Sequence, residues 1–194
     1  MKSIFILHEG NEKETHDNQL ICLLMKNLKL DTNAVSFFGM GCKSNFFKEE
    51  NYPKILKDGV KTGQVEKVLF IVDSDYSNND KTYGGYINTE NELNKIITKL
   101  NFQDVSKIHI MYDPTTTAKT GYLESFLLST IPEDRRKCIN EFLGCSGFIA
   151  KEGDKSTYKR VYESIAYPFH PFRFDHPHFN ELKTKLTQLF IESE

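Results

Sequence analysis

Asp73 and Asp75 stand one residue apart at the end of the run Lys67-Val68-Leu69-Phe70-Ile71-Val72, and two like charges that close call for a cation. Hard carboxylate oxygens select Mg²⁺ or Mn²⁺, which takes one or two carboxylates, keeps several waters and meets substrate phosphates. The apolar, β-branched run before them reads as a strand buried on both faces. In an open α/β sheet ligands bind beyond the carboxyl ends of the strands, which puts the Asp-x-Asp on the functional edge. Side chains at i and i+2 point the same way as long as strand geometry persists. The structural alternative is an ordinary Asx turn leaving a strand.

Two other apolar runs end in comparable ways. Ser3-Ile4-Phe5-Ile6-Leu7 runs into His8-Glu9-Gly10, and Ala34-Val35-Ser36-Phe37-Phe38 closes on Gly39-Met40-Gly41. Missing Cβ atoms at Gly10, Gly39 and Gly41 allow a tight turn or the close approach of a ligand. On a strand His8 points away from the face of Glu9, so it reads as a core residue rather than a catalytic one.

The elements that must position these groups alternate. A helix with Leu20, Leu23, Leu24 and Leu28 on one face follows the first strand, with Asp17 or Asn18 as its cap. A short helix through Ile55 and Leu56 follows the second, turning at Asp58-Gly59. A polar loop from Tyr76 to Asn88 follows the third, and Thr89-Glu90-Asn91-Glu92 has capping-box spacing before Leu93, Ile96, Ile97 and Leu100. Lys107-Ile108-His109-Ile110-Met111-Tyr112 is the fourth strand. Strands alternating with helices predict an α/β fold, a mostly parallel four-stranded sheet flanked by helices.

Beyond this the pattern is mainly helical. Gly121-Tyr122-Leu123-Glu124 enters a short apolar helix from a Thr-rich loop, and Pro132 starts another. Asp154 caps a third bearing Tyr158, Val161, Tyr162 and Ile165, and Phe179, Leu182, Leu186, Leu189 and Phe190 form a C-terminal amphipathic helix. The reading is therefore an α/β core over residues 1–130 and a helical C-terminal extension over 131–194 packed on it.

Composition narrows the function. The chain has 194 residues, 39% hydrophobic and 27% charged, which is a globular rather than a disordered balance. Its formal charge of −2 supplies no global basic field, so a nucleic-acid enzyme needs a local basic patch. Lys43, Lys119 and Lys155, each beside a predicted turn or helix start, are the phosphate contacts on offer. Cys22, Cys42, Cys138 and Cys145 form no Cys-x-x-Cys pair, which suits reduced thiols and a cytoplasmic protein. The run Ile4 to Leu7 is too short for a signal segment or a membrane span. His170, His176 and His178 lack the helical i, i+4 spacing of a zinc site.

Taken together, Glu9-Gly10, Gly39-Met40-Gly41 and Asp73-Ser74-Asp75 after three successive strands resemble a TOPRIM domain, the module of topoisomerases, bacterial primases and the overcoming-lysogenisation-defect family of nucleases. The rest is similar to small stand-alone TOPRIM-like proteins through Gly121-Tyr122-Leu123-Glu124, Asp154-Lys155 and Phe174-Asp175-His176-Pro177-His178-Phe179. The resemblance implies a Rossmann-like core in which Glu9 is the general acid/base or a metal ligand and Asp73 and Asp75 bind Mg²⁺. Glu124 is then the ligand for a second metal. Its alternative is a solvated glutamate in a first helical turn. The loop after Gly10 is longer than the family's Glu-Gly-x-x-Asp arrangement, and Glu12, Glu14 and Asp17 compete for the second acid, with Asp17 favoured because it directly precedes the helix. A topoisomerase reaction needs a nucleophilic tyrosine from outside the TOPRIM domain, so water is the expected nucleophile.

The implied function is a Mg²⁺-dependent nuclease acting on DNA or RNA, alone or released by a regulatory protein partner. The alternative is a non-catalytic TOPRIM-like module that binds a nucleotide, a nucleic acid or a partner protein. A glycosyltransferase reading of the Asp-x-Asp leaves Glu9-Gly10 unexplained, and an aspartyl-nucleophile phosphatase would carry Thr or Val where Ser77 stands.

Overall fold

A computed structural model describes residues 3–11, 16–77, 80–145, 161 and 172–191. It is an α/β structure built on a four-stranded, all-parallel sheet flanked by helices, a Rossmann-like arrangement. The strands are β1 (Ser3–His8), β2 (Val35–Gly39), β3 (Val65–Asp73) and β4 (Ser106–Met111), in the order β2-β1-β3-β4. Ile6 faces Phe37 on one side and Leu69 on the other, and His8 faces both Gly39 and Ile71. β3 is buried at every position from Val68 to Asp73, as a central parallel strand must be. The helices are α1 (His16–Asn27), α2 (Lys43–Phe46), α3 (Lys54–Lys61), α4 (Tyr86–Leu100), α5 (Leu123–Ser129), α6 (Glu133–Cys145) and a C-terminal α7 (Asn180–Gln188). Among the described residues no helix is long and apolar enough to cross a membrane. The helix expected from Asp154 lies outside the described residues, apart from Val161.

The chain divides into two compact units that interleave in sequence. The first comprises Met1–Val72, Ile87–Ile110 and Phe179–Glu194; the second comprises Asp73–Tyr86 and Met111–His178.

In the first unit, Ile6, Leu7, Val68, Leu69 and Phe70 of the sheet are buried together with Leu20, Ile21, Leu24 and Met25 of α1. The buried face of α1 is therefore turned from the one expected through Leu23 and Leu28, which are half-buried. Tyr52 packs its ring at 6.3 Å from both Phe70 and Phe102, and its hydroxyl donates to the Phe46 carbonyl. That bond satisfies the one polar atom of the cluster. α3 runs through Asp58-Gly59, where a turn was expected, and ends at Lys61. A Cβ on Gly59 would lie 2.6 Å from Val65 Cγ2, so the glycine is there for the close passage of β3 and not for a turn. Gly63, with φ +71°, makes the turn instead.

α7 is fastened to the sheet by side chains from β3 and β4. Lys67 Nζ donates to the carbonyls of Gln188 (3.2 Å) and Ile191, at the end of the helix where carbonyls lack partners, and Lys107 Nζ reaches Gln188 Oε1. His109, buried in β4, lies with Nδ1 3.5 Å from Glu181 Oε1, which also accepts from Lys185. Burial holds the His109 pKa below its usual value, and the nearby carboxylate only partly opposes this. The His109 ring facing the carboxylate, with Lys185 alongside, holds Glu181 down at about 2 despite partial burial.

In the second unit, Met111, Leu123, Phe126, Leu127, Leu128, Ile131 and Ile139 are buried, and every residue of α5 is out of solvent. α4 begins at Tyr86, ahead of the capping box expected at Thr89. Gly85, with φ +90°, donates its N–H to the Ser74 carbonyl and sets that earlier start.

Two predictions follow from these contacts. Gly39→Ala places a Cβ 2.6 Å from the Asn11 carbonyl carbon, a backbone atom, and should cost about 1–3 kcal/mol in urea denaturation. Because Glu181 is depressed to about 2, the unfolded chain takes up its proton first on acidification. Stability should be fully present above about pH 4.5 and fall toward pH 2, and Glu181→Gln should flatten that limb of the stability curve.

Candidate functional site

The acids and lysines singled out in the sequence fall into the two units. In the first unit, Glu9 follows the end of β1 and is 9% exposed. Gly10 (φ +88°) and Gly41 (φ +82°) exchange two backbone bonds, Gly10 N–H to Gly41 O at 3.0 Å and Gly41 N–H to Gly10 O at 2.7 Å. Both amides are thereby committed to each other and not to a phosphate. The close approach that Gly39 permits is by the backbone of Gly10 and Asn11. These glycines fix the exits of β1 and β2 against one another.

Lys43 opens α2 and is 5% exposed, so its ammonium is not a surface cation waiting for a nucleic acid. Asp17 lies half-buried in the first turn of α1, where a carboxylate is favoured by the helix dipole. His8 is fully buried, as its place on the strand suggested. Its Nδ1 lies 2.6 Å from the Glu9 carbonyl, which can only accept, so Nδ1 carries the proton; Nε2 faces the Asn18 amide at 3.5 Å and accepts. Burial also lowers the His8 pKa, in keeping with a neutral ring.

In the second unit, Asp73 is the last residue of β3 and is 3% exposed. Its Oδ1 accepts the N–H of Leu123, the first residue of α5, at 3.0 Å. Ser74 is fully buried, donating its N–H to the Met111 carbonyl at 2.7 Å and its hydroxyl to the Lys119 carbonyl at 2.7 Å. Strand geometry stops here. Asp75 has φ +57°, in the left-handed region, so the alternation that would point Asp73 and Asp75 the same way does not extend to it. Its backbone instead forms a two-way bridge with Gly121, Asp75 N–H to Gly121 O at 2.7 Å and Gly121 N–H to Asp75 O at 3.3 Å.

These bonds carry Glu124 into the same neighbourhood. It follows Leu123 directly, lies in the first turn of α5 and is 8% exposed, so it is not the solvated glutamate of the alternative reading. Asp73 and Asp75, far in sequence from Glu124, thus attach with it to one knot of backbone. Among the described residues no three His, Cys, Asp or Glu side chains are gathered closely enough to hold a metal ion on their own. Mg²⁺ characteristically takes one or two carboxylates and completes its shell with water and phosphate, a demand that a pair from this set meets in donor type.

Lys119, just before Gly121, has φ +50° and sends its ammonium over the Tyr86 ring (4.8 Å to the centroid) and the Tyr112 ring (5.6 Å). The two rings meet edge-to-face at 5.5 Å. Cation and aromatic pair hold one another, an arrangement no spacing rule announces. Lys155 and His170 lie outside the described residues. His178 Nδ1 is 2.9 Å from Ser129 Oγ, and its ring packs edge-on against His176. Sequence reasoning passed over Asp113 and Arg136, which face a cavity in this unit. The run Thr115-Thr116-Thr117 was their only signal, and it was read as a helix entry.

Compared with known proteins, the chain matches no family model, no curated protein and no solved structure.

The Asp73 bond makes a specific prediction. Asp73→Asn keeps an acceptor for Leu123 N–H and should lose less than about 1 kcal/mol, whereas Asp73→Ala leaves that buried N–H without a partner and should lose about 1–3 kcal/mol. Equal losses by chemical denaturation would show that the bond contributes nothing.

Proposed function

We propose that this chain is a divalent-metal-dependent phosphodiester hydrolase, TOPRIM-like, acting on DNA or RNA in the cytoplasm. The observation that supports it is the setting of two buried carboxylates, Asp73 and Glu124, on either side of the Asp73–Leu123 bond, with Asp75 tied to Gly121 beside them. Carboxylates gathered near one helix start are hard oxygen donors of the kind that Mg²⁺ takes. A carboxylate has room for several bonds, so acceptance from Leu123 leaves Asp73 able to serve as a ligand.

A bound Mg²⁺ would neutralise charge developing on a phosphodiester and acidify an attacking water. The role of this chain's residues is to hold the carboxylates in place before the substrate arrives, through backbone bonds that do not change on binding. In the hydrolysis a water oxygen forms a bond to phosphorus, the phosphorus–ester oxygen bond breaks, and the water's proton passes to a base while the leaving oxygen gains one. The TOPRIM resemblance implies the acid/base role for Glu9. Activity released by a regulatory protein partner fits the same site.

A second reading has its own support. A Asp73 carboxylate that caps α5 is sufficient reason for its burial, and then the chain is a binding module without hydrolysis. Calorimetric titration with Mn²⁺ separates the two. Wild type should bind the ion, and Asp73→Asn/Asp75→Asn and Glu124→Gln should each abolish or weaken binding. Wild type should also cleave plasmid, single-stranded DNA or RNA in Mg²⁺, while Glu9→Gln should keep metal binding and lose roughly 10²- to 10⁴-fold in rate. Failure of wild type to bind Mn²⁺ would overturn the hydrolase and leave the binding module.

A further inference from the structure

The second unit contains a cavity of about 680 Å³ whose lining includes none of the acids assigned above. Its size falls within the range of small-molecule sites. The groups facing it are of three kinds. Arg136 of α6 and Asp113 bring opposite charges, Thr117, Thr120 and Asn140 bring neutral polar groups, and Leu128, Ile139 and the ring of Tyr76 bring apolar surface.

Among the described residues neither charge is used up. The described bond of the Arg136 guanidinium is a long one, Nη1 to the Ser129 carbonyl at 3.5 Å, and among the described residues it makes no ion pair. Most of its N–H donors are left over. Asp113 accepts from Thr115 twice, from N–H at 2.9 Å and from Oγ1 at 2.7 Å, and both bonds go to Oδ1. They fix the carboxylate and leave Oδ2 its lone pairs. The cavity's hydroxyls divide likewise. Thr115 and Thr116 are committed to the loop itself, whereas the hydroxyls of Thr117 and Thr120 have no partner among the described residues. Tyr76 is held edge-to-face by Tyr122 at 5.5 Å, so its ring is already oriented.

We infer that this cavity is a binding site for a nucleoside monophosphate, with Arg136 on the phosphate, Asp113 on the ribose hydroxyls and Tyr76 with Leu128 and Ile139 against the base. A guanidinium matches a phosphate in charge and fork geometry. A fixed carboxylate oxygen accepts from ribose hydroxyls, as in dinucleotide sites. A base offers a π-face to an aromatic ring whatever its identity. Other ligand classes fit less of the lining: a bare anion sets its charge against Asp113, a neutral sugar leaves Arg136 without a counter-charge, and an α-amino acid fills little of the volume. Among the described residues Arg136 is the single cationic side chain in the lining, which favours one phosphate over two or three.

This inference does not depend on the hydrolase reading, and its test is run without metal. The four common ribonucleoside 5′-monophosphates are titrated calorimetrically into the full chain in the presence of EDTA, with adenosine and inorganic phosphate for comparison. At least one monophosphate should bind, with adenosine and phosphate weaker by about tenfold or more. Arg136→Met should weaken the monophosphate by about tenfold or more, and Asp113→Asn, which keeps the Oδ1 acceptor for Thr115, should weaken the monophosphate but not phosphate. Circular dichroism confirms that both variants are folded. Binding of no monophosphate, binding unchanged in Arg136→Met, or phosphate binding as tightly as any monophosphate would each overturn the assignment.

Discussion

The second unit depends on the bridge between Asp75 and Gly121. At the end of β3 the chain would otherwise carry its acids outward, but φ +57° at Asp75 turns the backbone so that it can exchange two hydrogen bonds with Gly121. Gly121 must lack a side chain to answer. Its φ is +123°, and a Cβ there would lie 2.4 Å from Ser125 Oγ and 2.9 Å from the Asp113 nitrogen. Once the bridge is made, Tyr122 N–H donates to Ser125 Oγ and Leu123 N–H to Asp73 Oδ1, so the first N–H groups of α5 are satisfied within two residues. A helix of seven residues is too short to persist on its own. It exists because its start is bonded and its whole length is buried. The acids and the helix therefore stand or fall together.

How much of this could be seen in the sequence depends on the range of the interaction. The four strands were legible as short runs rich in apolar residues, nearly continuous in the buried β3, and each begins and ends within about two residues of where the run does. Element ends governed by a distant partner were not. Gly59 looks like a turn until Val65 is seen against it, and Thr89 looks like a cap until Gly85 is seen bonded to Ser74. Asp73 was legible as an acid at a strand end, but its partner is 50 residues away and no local pattern points to Leu123. Glu124 was visible as an acid in a first turn; its burial comes from the packing of the entire helix.

The lysines show the same limit. Lys43, buried at a helix start, and Lys119, over two tyrosine rings, were both read as phosphate contacts near glycines. Lys67 and Lys107 attracted no notice, and yet they meet the end of α7. A long flexible side chain carries its charge several ångströms from its backbone, so position in sequence says little about which carbonyl, ring or carboxylate it will find.

The bond between Lys67 and Gln188 spans 121 residues, and between Ile110 and Phe179 the chain leaves the first unit to build most of the second. Closing the first unit thus ties off a loop that contains the other's residues. If that loop is a coil, its ends must be found among many conformations; if it is already compact, the search is shorter. Each halving of effective loop length lowers the closure cost by about 0.6 kcal/mol. The two units are consequently linked through chain entropy: compaction of the residues between Ile110 and Phe179 lowers the cost of bringing α7 to the sheet.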